Sequence, residues 1–197
     1  MTRARDIANF GDGIATADIG DGQITTAKIA SDAITDALLP AGSVLQVQSF
    51  TETSALNFTV ATNAESGNLL SINITPTSAS SKVLVIANVQ IMCETPAAYL
   101  ILNRDGTDIA VGDAAGSRQQ VTSFFYSDPD RQDVSQSTVL HFLDSPNTTS
   151  QVTYSVTARH GSSITQGFYR NRNEDDSDDN KRGRFVSTIT AMEIAGS

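Results

Sequence analysis

Large apolar side chains recur along this chain in two rhythms, and the change falls near residue 43. Residues 14–43 divide into the pentads IATAD, IGDGQ, ITTAK, IASDA, ITDAL and LPAGS, which place Ile14, Ile19, Ile24, Ile29, Ile34 and Leu39 five residues apart ahead of Val44. A period of five reverses the face of a strand at every step. On a helix, five steps of about 100° leave successive side chains far apart around the axis. Three arrangements remain: a single-chain pentapeptide solenoid, a linker rich in Asp, Gly, Ala and Ser, and an intertwined stalk in which identical chains direct each Ile toward a shared axis. About six pentads are few for a free-standing solenoid, whose repeats are stable only when stacked on neighbours. A core shared between chains removes that shortage, so the extended, intertwined stalk is the expectation. Gly11, Gly13, Gly20 and Gly22 permit tight turns or close backbone approach. Leu39-Pro40-Ala41-Gly42-Ser43 punctuates its end.

From about residue 44 the period becomes two. Leu45 and Val47 alternate with Gln46 and Gln48, and Leu56, Phe58, Val60 and then Leu70, Ile72, Ile74 repeat the alternation before Pro76. Val83–Ala87, continuing through Val89 and Ile91, is apolar at both parities. It predicts a central strand with one face on a core and the other covered by a loop or a neighbouring subunit. Tyr99–Leu102 runs into Asn103-Arg104-Asp105-Gly106, a hairpin turn before Thr107–Ala110. Further strands are predicted over Gln120–Tyr126, Ser137–Leu143, Gln151–Arg159, Ile164–Tyr169 and Phe185–Ile194; in the last, Phe185, Ile189 and Ala191 share one face and Val186, Met192 and Ile194 the other. About nine short strands separated by turn signals, with no sustained helical periodicity, predict an all-β, jelly-roll-like sandwich over 44–197. That length is enough for a proper core.

Composition narrows the function classes. The 197 residues carry 13 Lys and Arg against 22 Asp and Glu, a formal charge of −9. Phosphate binding needs a concentrated basic surface, so a large nucleic-acid interface is not expected. No apolar run approaches the roughly 18 residues that span a bilayer, and Met1–Asp6 leads into no hydrophobic signal segment. Synthesis in a cytoplasm is the simple expectation, with no membrane insertion. One cysteine, Cys93, forms no internal disulfide and supplies no cysteine zinc site; following the central apolar run, it reads as a small buried hydrophobe.

Catalytic chemistry finds little to use. His141 sits in the apolar strand VLHFL and His160 precedes Gly161 at a strand end, an ordinary turn position. Neither has further soft or imidazole ligands nearby in sequence, so no metal and no cofactor are expected. Glycine-elbow and phosphate-loop signatures are missing. The acids fall chiefly in turns (Asp105, Asp108, Asp113, Asp128, Asp130, Asp133 and Asp144), whereas glycoside hydrolysis needs two carboxyls held across a cleft. With no Trp, a sugar platform would come from Tyr or Phe, and Phe125-Tyr126 is the candidate ligand-facing pair. Residues 171–184, NRNEDDSDDNKRGR, read as a solvated hairpin loop, with calcium binding or pairing with basic residues of an adjacent chain as the alternatives. The chain reads as non-enzymatic.

Several segments carry a resemblance. TRARDIANFGDG (2–13) and ITTAKIASDAIT (24–35) resemble N-terminal parts of fibre proteins of tailed bacteriophages, especially marine and cyanobacterial phages. ITPTSASSKVLV (74–85), LHFLDSP (140–146) and RFVSTITAMEI (184–194) resemble a β-domain found in the same kinds of protein. The resemblance implies a virion-exterior structural protein, a homotrimer, anchored to another virion protein through residues 1–13 with Arg3, Arg5, Ile7 and Phe10. It further implies a stalk over 14–43 built on the Ile14–Leu39 column and a head domain over 44–197 displayed for adsorption to a host-surface glycan or protein. Many such fibres carry long shafts or several modules, and this one has a brief stalk and one domain. A short tail fibre, a capsid-decorating head fibre and a fibre adaptor all fit.

Overall fold

The computed structural model describes residues 19–20, 23–25, 29, 34–35, 38–126 and 134–196. The chain divides into two units, Met1–Leu39 and Pro40–Ser197. In the first, the described backbone bends at Ile19, Ile24, Ile29, Ile34 and Leu39, once per pentad. Short turns close by hydrogen bonds from the Gln23 N–H to the Gly20 carbonyl (3.1 Å) and from the Leu38 N–H to the Thr35 carbonyl (2.9 Å). Ile14 and the segment holding Arg3, Arg5, Ile7 and Phe10 lie outside the described residues.

The second unit is all-β. Its strands are β1 (Val44–Glu52), β2 (Leu56–Val60), β3 (Leu70–Ile74), β4 (Lys82–Cys93), β5 (Ala98–Arg104), β6 (Thr107–Ile109), β7 (Ser123–Phe125), β8 (Gln136–Asp144), β9 (Val152–His160), β10 (Gln166–Arg170) and β11 (Ser187–Ile194). They form two antiparallel sheets. In the six-stranded sheet β4 is the spine: β8 pairs with one edge, while the other edge carries β11 over Lys82–Asn88 and then β10 over Ile91–Cys93. β1 pairs with β11, and β2 with β10. The five-stranded sheet runs β3-β9-β5, with β7 and β6 in succession along the outer edge of β5.

Where one edge must serve two partners, side chains fill the gap in the ladder. Between β10 and β11 the Ser187 hydroxyl accepts the Gln90 N–H (2.9 Å) and donates to Asn171 Oδ1 (2.6 Å). Asn171, at φ 58°, donates through Nδ2 to the Glu52 carbonyl (2.7 Å). Between β6 and β7 the Thr122 hydroxyl accepts the Leu102 N–H (2.9 Å) and donates to the Ile109 carbonyl (3.2 Å).

The core follows from alternation. Val83, Val85, Ala87, Val89, Ile91 and Cys93 of β4 face Leu100 and Leu102 of β5, Val152, Tyr154, Val156 and Ala158 of β9, and Leu70, Ile72 and Ile74 of β3. The Asn103–Gly106 turn forms as its residues require: Asp105 and Gly106 stand at φ 50° and 79°, both in the left-handed region that a two-residue I′ hairpin demands. Three strands are shorter or shifted relative to expectation. Gln120–Tyr126 reduces to β7, because the Thr122 hydroxyl takes over ladder bonding before it. The expected Ile164–Tyr169 and Phe185–Ile194 become β10 and β11, which follow one another along one edge of β4 and are separated by an excursion whose ends meet in the antiparallel Arg172–Arg184 bridge.

Candidate interaction surface

The two outer faces of the sandwich differ in chemistry. On the five-stranded sheet, polar side chains close on one another. Arg159 pairs with Glu65 and with Asp108 (3.3 Å), Thr157 donates to Glu65 (2.9 Å), Asn103 donates to Thr157 (3.0 Å), and Thr153 donates to Asn73 (2.8 Å). Ile101 beneath them is fully buried.

The six-stranded sheet presents the opposite. Registers across β8, β4, β11 and β1 align Leu143, Leu84, Met192 and Val47 in one row of outward side chains. The adjacent row is His141, Ile86, Thr190 and Ser49, with Val139 opposite Asn88 beyond it and Val44 opposite Ile194 at the other end. Val44, Val47, Ile86, Val139 and Leu143 are all exposed. Among the described residues of these four strands, Lys82 is the one formally charged side chain on this face, and it stands at its margin. The outer edges of β1 and β8, nine residues each, complete the surface with open backbone.

A second feature is an open recess of about 310 Å³ at the β2–β10 end of the same sheet, lined by Asn57, Thr59, Glu94, Gly167 and Tyr169. The Glu94 carboxylate accepts the Tyr169 hydroxyl (2.5 Å) and the Gly167 N–H (3.0 Å). It lies over Gly167, where a Cβ would overlap it. Burial first, and then the Glu94 carboxylate, pushes the Tyr169 phenol above its ordinary value. Arg172 covers the ring at 5.5 Å. The recess offers hydrogen-bonding groups but no opposed carboxylates, so it can hold a polar ligand without supplying acid–base chemistry.

The residues singled out by sequence fall in several places. Ile19, Ile24, Ile29 and Ile34 are 41 %, 56 %, 42 % and 60 % exposed, Leu39 is partly buried, and its neighbour Leu38 is exposed. The proposed ligand-facing pair is split. Phe125 is only 2 % exposed, because β7 turns it into the core against Phe168 (ring centroids 6.4 Å apart), so it cannot face a ligand. Tyr126 is exposed, as is Phe124, which tilts against Tyr99. His141 stands on the sheet face. His160 is no ordinary turn residue: it is fully buried, its Nδ1 accepts the Ser162 N–H (3.1 Å), and Nε2 therefore donates to the Val60 carbonyl (2.8 Å). Cys93 is buried, and burial pushes its thiol up to about 12.

The acids also behave differently from the expectation of solvated turns. Asp144 is buried at the end of β8, gripped by Arg104 (2.8 Å) and by the Tyr154 hydroxyl (2.6 Å). In the 171–184 loop Arg182 holds Asp175 (2.7 Å), and Arg184 and Arg172 hold Asp176 (2.7 and 3.3 Å). Two of its five carboxylates, Asp175 and Asp176, are thus ion-paired within the loop. Among the described residues no group of three or more His, Cys, Asp or Glu side chains is placed to hold a metal ion. The recess was not singled out, whereas the apolar outer face was anticipated at β4 alone, whose second face was expected to be covered by a loop or a neighbouring subunit. That face had its signal in the double-parity apolar run of β4 and the even-numbered Met192 and Ile194.

No protein-family model matches the chain, and neither does any curated protein. Among solved structures it is similar to the C-terminal domain of EclA, a sugar-binding protein, at 16 % identity and TM-score 0.31, covering 70 % of this chain and 78 % of that one. It is also similar to the VP2 subviral particle of infectious bursal disease virus (11 % identity, TM-score 0.33) and to the Gx strain of that virus (9 %, 0.35). Each covers 77 % of this chain but only 42 % and 41 % of the viral chains. At these scores the similarities assign neither a fold family nor a function.

Proposed function

We propose that the chain is a non-enzymatic structural protein of a bacteriophage virion. It is a homotrimer in which an intertwined pentad stalk carries a jelly-roll-like sandwich on the exterior of the particle. The observation that carries the assembled state is the exposure of Ile19, Ile24, Ile29 and Ile34. A large apolar side chain stands at each described fifth position, at a bend, and its own chain leaves it in water. Burying such a column stabilises by about 1.5–3 kcal/mol per side chain, which only a second and third copy of the same column can supply in register. The virion location is supported by the resemblance of 2–13 and 24–35 to phage fibre openings. In this reading residues 1–13, with Arg3, Arg5, Ile7 and Phe10, bind another virion protein. The sandwich meets a host-surface glycan or protein, with avidity from several copies.

Tail-fibre and capsid-surface placements share this architecture. Immunogold labelling of intact particles and of empty heads separates them: label at the tail supports adsorption, and label retained on empty heads supports decoration. The assembly itself is tested by light scattering of the full chain beside one lacking residues 1–43. About three times the chain mass of 20.9 kDa is expected for the full chain. A full-length monomer overturns the proposal.

A further inference from the structure

We infer that the outer face of the six-stranded sheet is a contact between copies of this chain, made by the β-domains and additional to the pentad column. The inference rests on the assembled reading above and says where the domains meet. The solvated face of an antiparallel sheet is commonly polar, with apolar side chains scattered singly. Here four strands place Leu143, Leu84, Met192 and Val47 side by side, with Ile86 in the next row. Among the described residues no ion pair joins β8, β4, β11 and β1 on that face, while the opposite face carries the pairs of Arg159 with Glu65 and Asp108.

The occupant is a second copy because of area and delivery. The exposed side chains of Val44, Val47, Ile86, Val139 and Leu143 present on the order of 400 Å² of apolar surface, within the range of functional patches. That is about half of the roughly 800 Å² per partner that holds a free-standing complex, so a foreign partner arriving from solution would bind weakly. A copy tethered through the stalk arrives at an effective concentration of about millimolar, at which a face of this size is occupied. The β1 strand that bears Val44 and Val47 begins directly after the last pentad, and its open edge is the kind that proteins otherwise guard against uncontrolled pairing. Association through this face also covers that liability.

Met192, partly exposed in the middle of the apolar row, reports on the contact, and Met92, buried in the same sheet, is the internal control. The full chain is treated with peroxide and the oxidation of each methionine is followed by peptide mass spectrometry, with the mass read in parallel by light scattering. Three forms are compared: wild type, Leu143→Glu with its stalk intact, and Ile24→Asp/Ile29→Asp with its stalk broken. Met192 is expected to oxidise several-fold more slowly in wild type than in either variant, with Met92 slow throughout. If Leu143→Glu speeds the oxidation of buried Met92 and so has disturbed β4 itself, Val47→Ser replaces it. A wild-type trimer whose Met192 oxidises as fast as in the stalk-broken chain overturns this inference and leaves the proposed assembly standing. A wild-type monomer overturns the assembly and the inference with it.

Discussion

Glu193 offers the sharpest energetic test of how the sandwich is held. It lies on the inner side of β11 with no exposed surface, yet carries a carboxylate. One oxygen accepts the Thr77 N–H (2.7 Å) and hydroxyl (2.8 Å), and the other accepts Gln46 Nε2 (2.6 Å), which also reaches the Thr75 carbonyl (2.7 Å). One side chain thereby fastens the β3–β4 loop to β1 and β11. In Glu193→Ala the Thr77 N–H loses its partner inside the protein, at a cost of about 1–3 kcal/mol, and the two side-chain donors add a smaller penalty because they can reorient. A total near 3 kcal/mol lowers Tm by about 6–12 °C in a domain of this size. Glu193→Gln keeps one acceptor oxygen but loses charge assistance, so its cost is about half as large. Burial alone would raise this carboxyl, but the hydrogen bonds from Gln46 and Thr77 outweigh it and hold the group below its ordinary 4.5. As pH falls, the unfolded chain therefore takes up this proton first. The stabilisation is complete above about pH 4.5 and is lost as pH drops through the lower folded value. Urea unfolding of wild type and Glu193→Gln from neutral pH into acid should show a gap that narrows on acidification, and Thr77 amide exchange should quicken in the variant at neutral pH. A gap that is absent at neutral pH, or unchanged in acid, refutes the reasoning.

Three further outcomes follow from side chains already described. Gly167→Ala drives the Glu94 carboxylate off its seat, costing about 1 kcal/mol for the lost hydrogen bonds; Tyr169 should then titrate at lower pH by ring-labelled NMR, and an unchanged titration counts against the seating. Cys93, its thiol pushed up to about 12 by burial, should resist an aromatic disulfide reagent in the native protein and react fully in denaturant; prompt native labelling would contradict its burial. Tyr154→Phe removes a hydrogen bond to the charged Asp144 and should cost about 2 kcal/mol in chemical unfolding, whereas an unaffected midpoint would show that Arg104 alone satisfies the carboxylate.

The strands were legible wherever apolar and polar side chains alternate. Leu70, Ile72 and Ile74, or the alternation along Gln151–Arg159, need only period two to be read. The Asn103–Gly106 hairpin was legible because Asp-Gly tolerates the positive φ angles the turn imposes. What escaped the sequence were contacts made by tertiary structure. Asp144 looks like a turn acid until β5 and β9 bring Arg104 and Tyr154 to it. Phe125 and Phe124 are neighbours of one composition, and only the pairing of β7 with β5 decides which faces the core. Segments far apart in sequence hold clamps: Thr77 of ITPTSASSKVLV meets Glu193 of RFVSTITAMEI, and Asp144 belongs to LHFLDSP. Those polar residues fix loops.

The apolar outer face is a property of register more than of any one strand. Leu143, Leu84, Met192 and Val47 come from four strands distant in sequence, and each is unremarkable alone, since scattered exposed hydrophobes are normal. A slip of one residue in any pairing would send its member to the core side and put a core residue in water. The same registers that seat Val85, Ala191 and Leu140 inside the sandwich therefore fix the row outside it. Here an apolar row aligns on one sheet, while the other closes the outward positions of β9 and β5 with Arg159, Glu65, Thr157 and Asn103 and leaves Phe124 exposed at its β7 edge. The two sheets fold by the same alternation and end with opposite surfaces. That asymmetry is what a domain needs if one side is to face solvent and the other its own copies.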